Sequence, residues 1–395
     1  MNTVTSHSGK RLRRQYLMSL IMIGALLLIA LFAYAWFSID DRRSDIRTSI
    51  RSQSEQLKVS LDEKINLVRG HVFAMRRVIE NTLARPDLRD SDLAERLLQT
   101  IGVPTDRLAA DNTDASALTV DTGSLHVTPG SPTDSTFQRD LAAAASFLAQ
   151  AAGNYQWYGL FEWSYYYDAR QRWFLIYPRL SPAELLRATR APDLATAIAT
   201  LLEAGGTRPV DLVGPRNNPQ RSMIWTPPYE DAGNKGRMVS LLAPVYRSDE
   251  YVGVIGTDVT LQTLSDVLRT HAPETGRALV LNADGRVLAD EDDALQGTAH
   301  DLTFPQLFPD ADMNGPDWLK LPLSDTPWLL VVHLDDPSLN KLLTKGIRLY
   351  LGLAVLLVLA IAALGVFQSR RYAGPALRLA AFVEECETQE QATMP

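Results

Sequence analysis

The chain has 395 residues, 46% of them hydrophobic, enough for two or three compact units that each bury a core. Its formal net charge of -7, from 39 basic and 46 acidic residues, argues against nucleic acid as a partner. A single cysteine, Cys386, excludes an internal disulfide framework and a cysteine-based zinc site, and the six histidines are scattered with no HExxH pair, so neither a metal nor a cofactor is expected.

Two apolar runs set the class. No charge occurs between residues 15 and 39, and YLMSLIMIGALLLIALFAYAWF is long enough to cross a hydrocarbon core at a rise of about 1.5 Å per residue. The same holds for LYLGLAVLLVLAIAALGVFQS, which begins at Leu349. The sequence therefore predicts a cytoplasmic N-terminus over 1–15, one transmembrane helix over 16–39 and another over 349–369. Lys10, Arg11, Arg13 and Arg14 precede the first span and Asp40 and Asp41 follow it, which places the N-terminus inside. The chain between the spans is then exported from a bacterial inner membrane, and 370–395 is a cytoplasmic tail.

Over 40–85, Ile46, Ile50, Leu57, Leu61, Ile65, Val68, Val72, Met75, Ile79 and Leu83 recur mostly at three and four residues. That is the pattern of a long stalk helix with one apolar stripe, ended by Pro86. Its far half is expected to pack on its own domain. Near the membrane little chain is available to cover Ile46 and Ile50, and a homodimer seam is expected there.

The stretch 86–268 reads as a mixed lobe. It begins with a short helix at 91–101, a polar segment at 106–114, and strands at 117–120 and 125–128. A helix over 134–152 precedes an antiparallel pair, 157–167 and 172–177, whose alternation puts Trp163, Tyr165 and Tyr167 on one face. An insert over 178–223 contains helices at 182–190 and 192–204 and a Gly-, Pro- and Asn-rich loop of the kind that covers a site. Strands at 238–246 and 251–259 flank Arg247-Ser248-Asp249-Glu250, and Thr260 stands as N-cap to a helix carrying Leu261, Leu264, Val267 and Leu268. A smaller mixed lobe over 269–338 holds a hairpin, 277–282 with 286–289, and a strand at 328–334. Residues 339–348 form a stalk back to the second span.

Three segments carry a family resemblance: PPYED around Tyr229, the strand VGVIGTDV with Asp258, and the helix start TLQTLSDVL. With the order of elements over about 40 to 345, they resemble the double Cache sensor domain of bacterial receptors. The resemblance implies an α+β fold of two PAS-like lobes on a long N-terminal helix, with 86–268 distal and 269–338 proximal to the membrane. In the members that bind amines and amino acids, a Tyr-x-Asp and a later Asp hold the ligand's ammonium, and Tyr229, Asp231 and Asp258 match them in type and order. A Tyr followed by Arg-x-Trp-Tyr holds the carboxylate; YDARQRWF supplies Tyr167, Arg172 and Trp173, without the intervening residue and with Phe174 for Tyr. One residue lost from a strand turns a side chain to the opposite face, so Arg172 and Trp173 cannot both take the family positions without a bulge.

Two buried carboxylates need a compensating cation or donors, and an ammonium brings both. The competing reading makes Asp231 a turn residue and Asp258 a cap for the next helix. The expected function is signal transduction, with a small extracytoplasmic solute, an amine or amino acid, as ligand. Related receptors end in a histidine kinase, diguanylate cyclase or chemotaxis domain. The 24 residues after Arg371 are too few for one, so an output domain in a longer form or a cytoplasmic signalling partner is expected. Two other classes remain as alternatives: a ligand-free structural module of a membrane complex, and a solute-binding accessory protein. No nucleophile elbow or phosphate-cradling loop stands out, and no enzymatic activity is expected.

Overall fold

The computed structural model describes residues 4–85, 123–132, 134–203, 207–233, 235–273, 276–291, 302–334 and 337–368, with single positions between 87 and 98 and beyond 370. The segments expected at 106–114 and 117–120 lie outside the described residues, as does most of 91–101. The chain divides into two compact units, Ser52–Leu334 and a second formed by Met1–Arg51 with Asp335–Pro395.

Helix α1 (Val4–Ala84) enters the larger unit at Ser52. Its stripe from Leu57 to Leu83 is buried there, since spacings of three and four line these residues along one side. Ile50, in the other unit, is also covered, at 1% exposure, and Ile46 is half-buried. Of the seam expected at Ile46 and Ile50, Ile50 is covered and Ile46 keeps part of its surface. The open face of α1 carries Val59 and Phe73 instead, 64% and 54% exposed and two heptads apart.

The single helix expected over 134–152 is two helices. α2 (Ser135–Ala144) starts at Asp134, whose carboxylate accepts the Phe137 N–H at 2.8 Å. The chain then turns at Ala145 and Ser146, the Ser146 hydroxyl donating to the Ala143 carbonyl at 2.6 Å. α3 (Phe147–Tyr158) follows and runs through Trp157 and Tyr158 until Gly159, in the left-handed conformation at φ 55°, stops it. The strand expected from 157 thus begins only at Trp163.

Seven strands make the main sheet: β1 (Ser124–Val127), β2 (Trp163–Asp168), β3 (Trp173–Tyr177), β4 (Ile224–Trp225), β5 (Tyr229–Glu230), β6 (Arg237–Arg247) and β7 (Glu250–Thr260). They are antiparallel in the order β1-β3-β2-β7-β6-β4, with β5 also paired to β6. Alternation along the strands gives the sheet two buried faces. Tyr166, Trp173, Leu175, Leu241 and Ile255 pack with α1, α2 and α3. Trp163, Tyr165, Tyr167, Phe174, Met238 and Val254 pack the other way, with Leu185 of α4 (Pro182–Thr189), Ala197 and Ile198 of α5 (Leu194–Leu202) and Val210 of α6 (Pro209–Leu212). Each large apolar side chain so buried contributes about 1.5 to 3 kcal/mol. Gly256 of β7 makes room for one of them: a methyl there would lie 2.7 Å from the Tyr165 ring and 2.6 Å from Leu242.

Thr260 caps α7 (Leu261–His271), accepting the Thr263 N–H at 3.2 Å, as its sequence predicts. A second, four-stranded antiparallel sheet follows from β8 (Arg277–Leu281), β9 (Val287–Asp290), β10 (Trp318–Pro322) and β11 (Leu329–His333), in the order β10-β11-β8-β9, with the short α8 (Phe304–Leu307) against Trp318. The loop from β10 to β11 meets both α1 and the main sheet. Ser324 donates its N–H and hydroxyl to Asp62 at 2.8 and 3.0 Å, Asp325 pairs with Arg69, and the Trp328 ring lies 4.6 Å from that of Trp225.

In the other unit, α1 and α9 (Pro337–Gln368) are each long and apolar enough to cross a membrane, with windows of mean hydropathy 2.2 and 2.7. Phe32, Trp36, Leu356 and Leu359 stand exposed on them. The two helices touch where Ser38 and Tyr350 share a 2.8 Å hydrogen bond, and Gly24 admits Ile361.

Candidate ligand-binding site

A cavity of about 40 Å³ lies on the face of the main sheet covered by α4 and α5. Trp163, Tyr165 and Tyr167 reach it from β2, Tyr229 from β5, Ser240 from β6 and Asp258 from β7; Asp231 and Gly233 close it from the turn after β5. The pairing explains the convergence. Asp258 is directly opposite both Ser240 and Trp163 in its neighbouring strands.

Asp258 is 4% exposed and accepts the Tyr165 hydroxyl at 2.8 Å. Tyr229 and Ser240 share a 2.8 Å hydrogen bond and also face this carboxyl. Burial pushes the Asp258 pKa up to about 7; the hydroxyls of Ser240, Tyr165 and Tyr229 act against the rise, and the Asp231 charge adds to it. Burial first, and then Asp258, hold the Tyr165 and Tyr229 phenols well above their usual range, so both stay protonated donors.

Asp231 serves two ends. Its carboxylate accepts the Lys235 N–H at 2.9 Å, so it is the turn residue that local chemistry suggests, yet it also lines the cavity. Gly233 lets that turn close, since a methyl there would stand 2.7 Å from the Asp231 carboxylate and 3.2 Å from Trp163. Asp258 caps nothing; the helix-cap reading falls to Thr260.

Tyr167 joins the cavity, but Arg172 and Trp173 do not. Arg172 is 9% exposed and clamped by Asp168, at 2.7 and 2.9 Å, with Asp140 at 3.5 Å. A buried guanidinium requires carboxylate partners, and two of the chain's own satisfy it. Trp173 packs on the helical face, stacked on Tyr166 at 5.2 Å. Sequence reasoning put Trp163 and Tyr165 on one strand face with Tyr167 but assigned them no ligand contact, and it overlooked Ser240. The signal for Ser240 was one hydroxyl in an otherwise apolar strand, in step with Met238 and Leu242.

Behind the cavity a polar chain joins the sheet to α1. His71 accepts from the Asn154 amide at 2.7 Å and donates from Nε2 to Ser164 at 2.9 Å; Ser164 meets Thr257 at 3.1 Å, and Thr257 donates to the Trp163 carbonyl at 2.8 Å. A neutral imidazole with its proton on Nε2 satisfies every member. Burial favours that form, lowering the His71 pKa to about 4.

Residues 215–266, which hold Tyr229, Asp231 and Asp258, match the family model described as methyl-accepting chemotaxis protein-like, first PDC sensor domain. Over this segment the chain is similar to a PDC-type sensor domain, in keeping with the resemblance its motifs carry. Among solved structures, the ligand-binding domain of the Pseudomonas fluorescens chemoreceptor CtaA in complex with L-leucine is 19% identical, with 76% of this chain and 99% of that chain covered and a TM-score of 0.44. The ligand-binding domain of the Pseudomonas aeruginosa PAO1 amino acid chemoreceptor PctC in complex with GABA is 16% identical over 72% of this chain and 96% of that one, at a TM-score of 0.36. That of PctB from the same organism, in complex with L-Arg, is 13% identical over 71% and 91%, at 0.35. Comparison with curated proteins finds no match.

Proposed function

We propose that the chain is a two-pass inner-membrane receptor whose exported part binds a small amine and passes its occupancy inward to a cytoplasmic signalling partner or output domain. One observation carries the ligand class. Asp258 is buried, half-buried Asp231 lines the same cavity, three hydroxyls surround Asp258, and no lysine or arginine is among the described residues of the wall. Carboxylates in such a place bind a proton or a cation, and an ammonium supplies a charge and N–H donors together. The Tyr229 and Tyr165 rings add a cation-π contribution of about 0.5 to 2 kcal/mol. The carboxylate role that the resemblance gives Arg172 is not available at this cavity, because Arg172 is paired with Asp168 and Asp140 on the other face. The family model over 215–266 supports the sensing role.

The test is a melting screen of the full chain in detergent against small amines. A ligand at one hundred times its dissociation constant adds about 2.7 kcal/mol of stability. Asp231→Ala and Asp258→Ala each remove about 2 to 5 kcal/mol of binding and abolish the shift while the unliganded protein stays folded. A ligand that both variants bind as the wild type does would disprove the site.

A further inference from the structure

We infer that the outer half of the two apolar helices holds one phospholipid with a zwitterionic, primary-amine head group, its acyl chain in a groove between α1 and α9 and its head group against Asp40 and Arg43. The inference rests on the membrane-crossing reading proposed above and concerns a site separate from the sheet cavity.

Shape comes first. A cavity of about 770 Å³ runs along α1 from Leu28 to Arg43 and takes Tyr350, Leu351 and Ala354 from α9. Half-buried Leu28, Leu31, Ala35 and Ala354 make its floor, and the two alanines leave it open. Phe32 and Trp36, each 72% exposed, and Leu351, 61% exposed, form the rim. From Leu28 to Trp36 the helix rises about 12 Å, close to one leaflet's share of the roughly 30 Å hydrocarbon core. Asp40 is the first charge beyond the apolar run, and Arg43 follows it within a turn, so both stand at head-group depth.

The rim then favours a chain over a helix. A second copy's helix is the other occupant an apolar groove in a membrane can take, and helices close on one another in lipid through small residues. Here the small residues are recessed behind Phe32 and Trp36. An acyl chain passes between those side chains to the floor, whereas a helix about 10 Å across is held off by them.

Charge at the mouth selects the lipid. The Tyr350 hydroxyl is engaged with Ser38 at 2.8 Å, while Asp40 and Arg43 give the mouth one charge of each sign. A guanidinium matches a phosphate, and a carboxylate matches an ammonium with N–H groups to donate. An anionic head group without an amine sets a like charge beside Asp40, and a quaternary ammonium brings no N–H.

Trp36 is the one tryptophan in the two apolar runs, so its fluorescence reads contact with acyl chains. The full chain is reconstituted in phosphatidylglycerol vesicles with a minor share of lipid brominated on its acyl chain, bearing a phosphatidylethanolamine, phosphatidylcholine or phosphatidylglycerol head group. The same series with Trp36→Phe subtracts the other tryptophans. Brominated phosphatidylethanolamine should quench Trp36 with about threefold the apparent affinity of the other two, the size of one exposed ion pair. Asp40→Asn combined with Arg43→Gln should bring all three to one level while quenching persists, which shows that the variant is inserted. Equal quenching by the three lipids in wild type, or a preference that survives the double change, overturns the inference. Weak quenching by all three, with a disulfide between copies carrying Ala35→Cys, overturns it in favour of a second copy's helix. A chain that fails to float with the vesicles overturns the membrane-crossing reading and the inference with it.

Discussion

On the proposed amine reading, a proton and an ammonium would compete for the same Asp258 oxygens, because burial pushes this carboxyl's pKa up to about 7. The sign of the pH effect follows. Above pH 7 the carboxylate is free and amine affinity is level; below it, each unit lowers affinity by up to about tenfold, since a proton must be displaced. Titrations from pH 5 to 8 should show that break, and Asp258→Asn should bind weakly with no break at all. A raised carboxyl also means that the ligand-free fold gains stability from this group below the unfolded value and loses it as pH rises towards 7. That Tyr229, Asp231 and Asp258 line one cavity could be anticipated from the chain because type and order survive without geometry. Ser240 could not, since a serine in a strand joins this cavity only because the register sets it opposite Asp258. Arg172 misled for a related reason: sequence spacing shows a guanidinium near a strand end, but not that Asp168 and Asp140 will capture it.

Among the elements, the hairpin of β6 and β7 and the cap of α7 were legible because alternation and a threonine before an apolar run are local signals. β10 was not. Its five residues include a lysine and a proline, and only pairing to β11 at the edge of the sheet makes them a strand. The loop that follows β10 is where the small sheet, α1 and the main sheet meet, through Asp62, Arg69 and Trp225. Asp62→Ala removes both acceptor contacts to Ser324 and should lower unfolding stability by about 1 to 2 kcal/mol in urea titration of the detergent-solubilised chain. An unchanged midpoint would mean that the loop is held by Trp328 and Asp325 alone.

For the whole molecule, the proposed orientation rests on the charge asymmetry around the first apolar run and on the second run in α9. Reporter fusions at Ser8 and Pro395 should both report cytoplasm, and an exported signal from either would reverse the topology. Association of two copies, if α1 provides the contact, is proposed for the open face with Val59 and Phe73, since Ile50 is covered and Ile46 half-buried. Cysteines at Val59 or Phe73 should therefore cross-link between copies in membranes more strongly than cysteines at Leu61 or Met75. Equal yields at all four would remove α1 as the contact.

Thr257 and Asp258 are consecutive residues on opposite faces of one strand. The first belongs to the chain of hydrogen bonds that runs through His71 on α1; the second belongs to the cavity. A pull on either side is therefore applied to the same few ångströms of backbone. Reciprocity then makes the helix a party to recognition: whatever free energy an occupant expends in shifting that strand against α1, a change imposed on α1 returns as an equal change in the occupant's affinity.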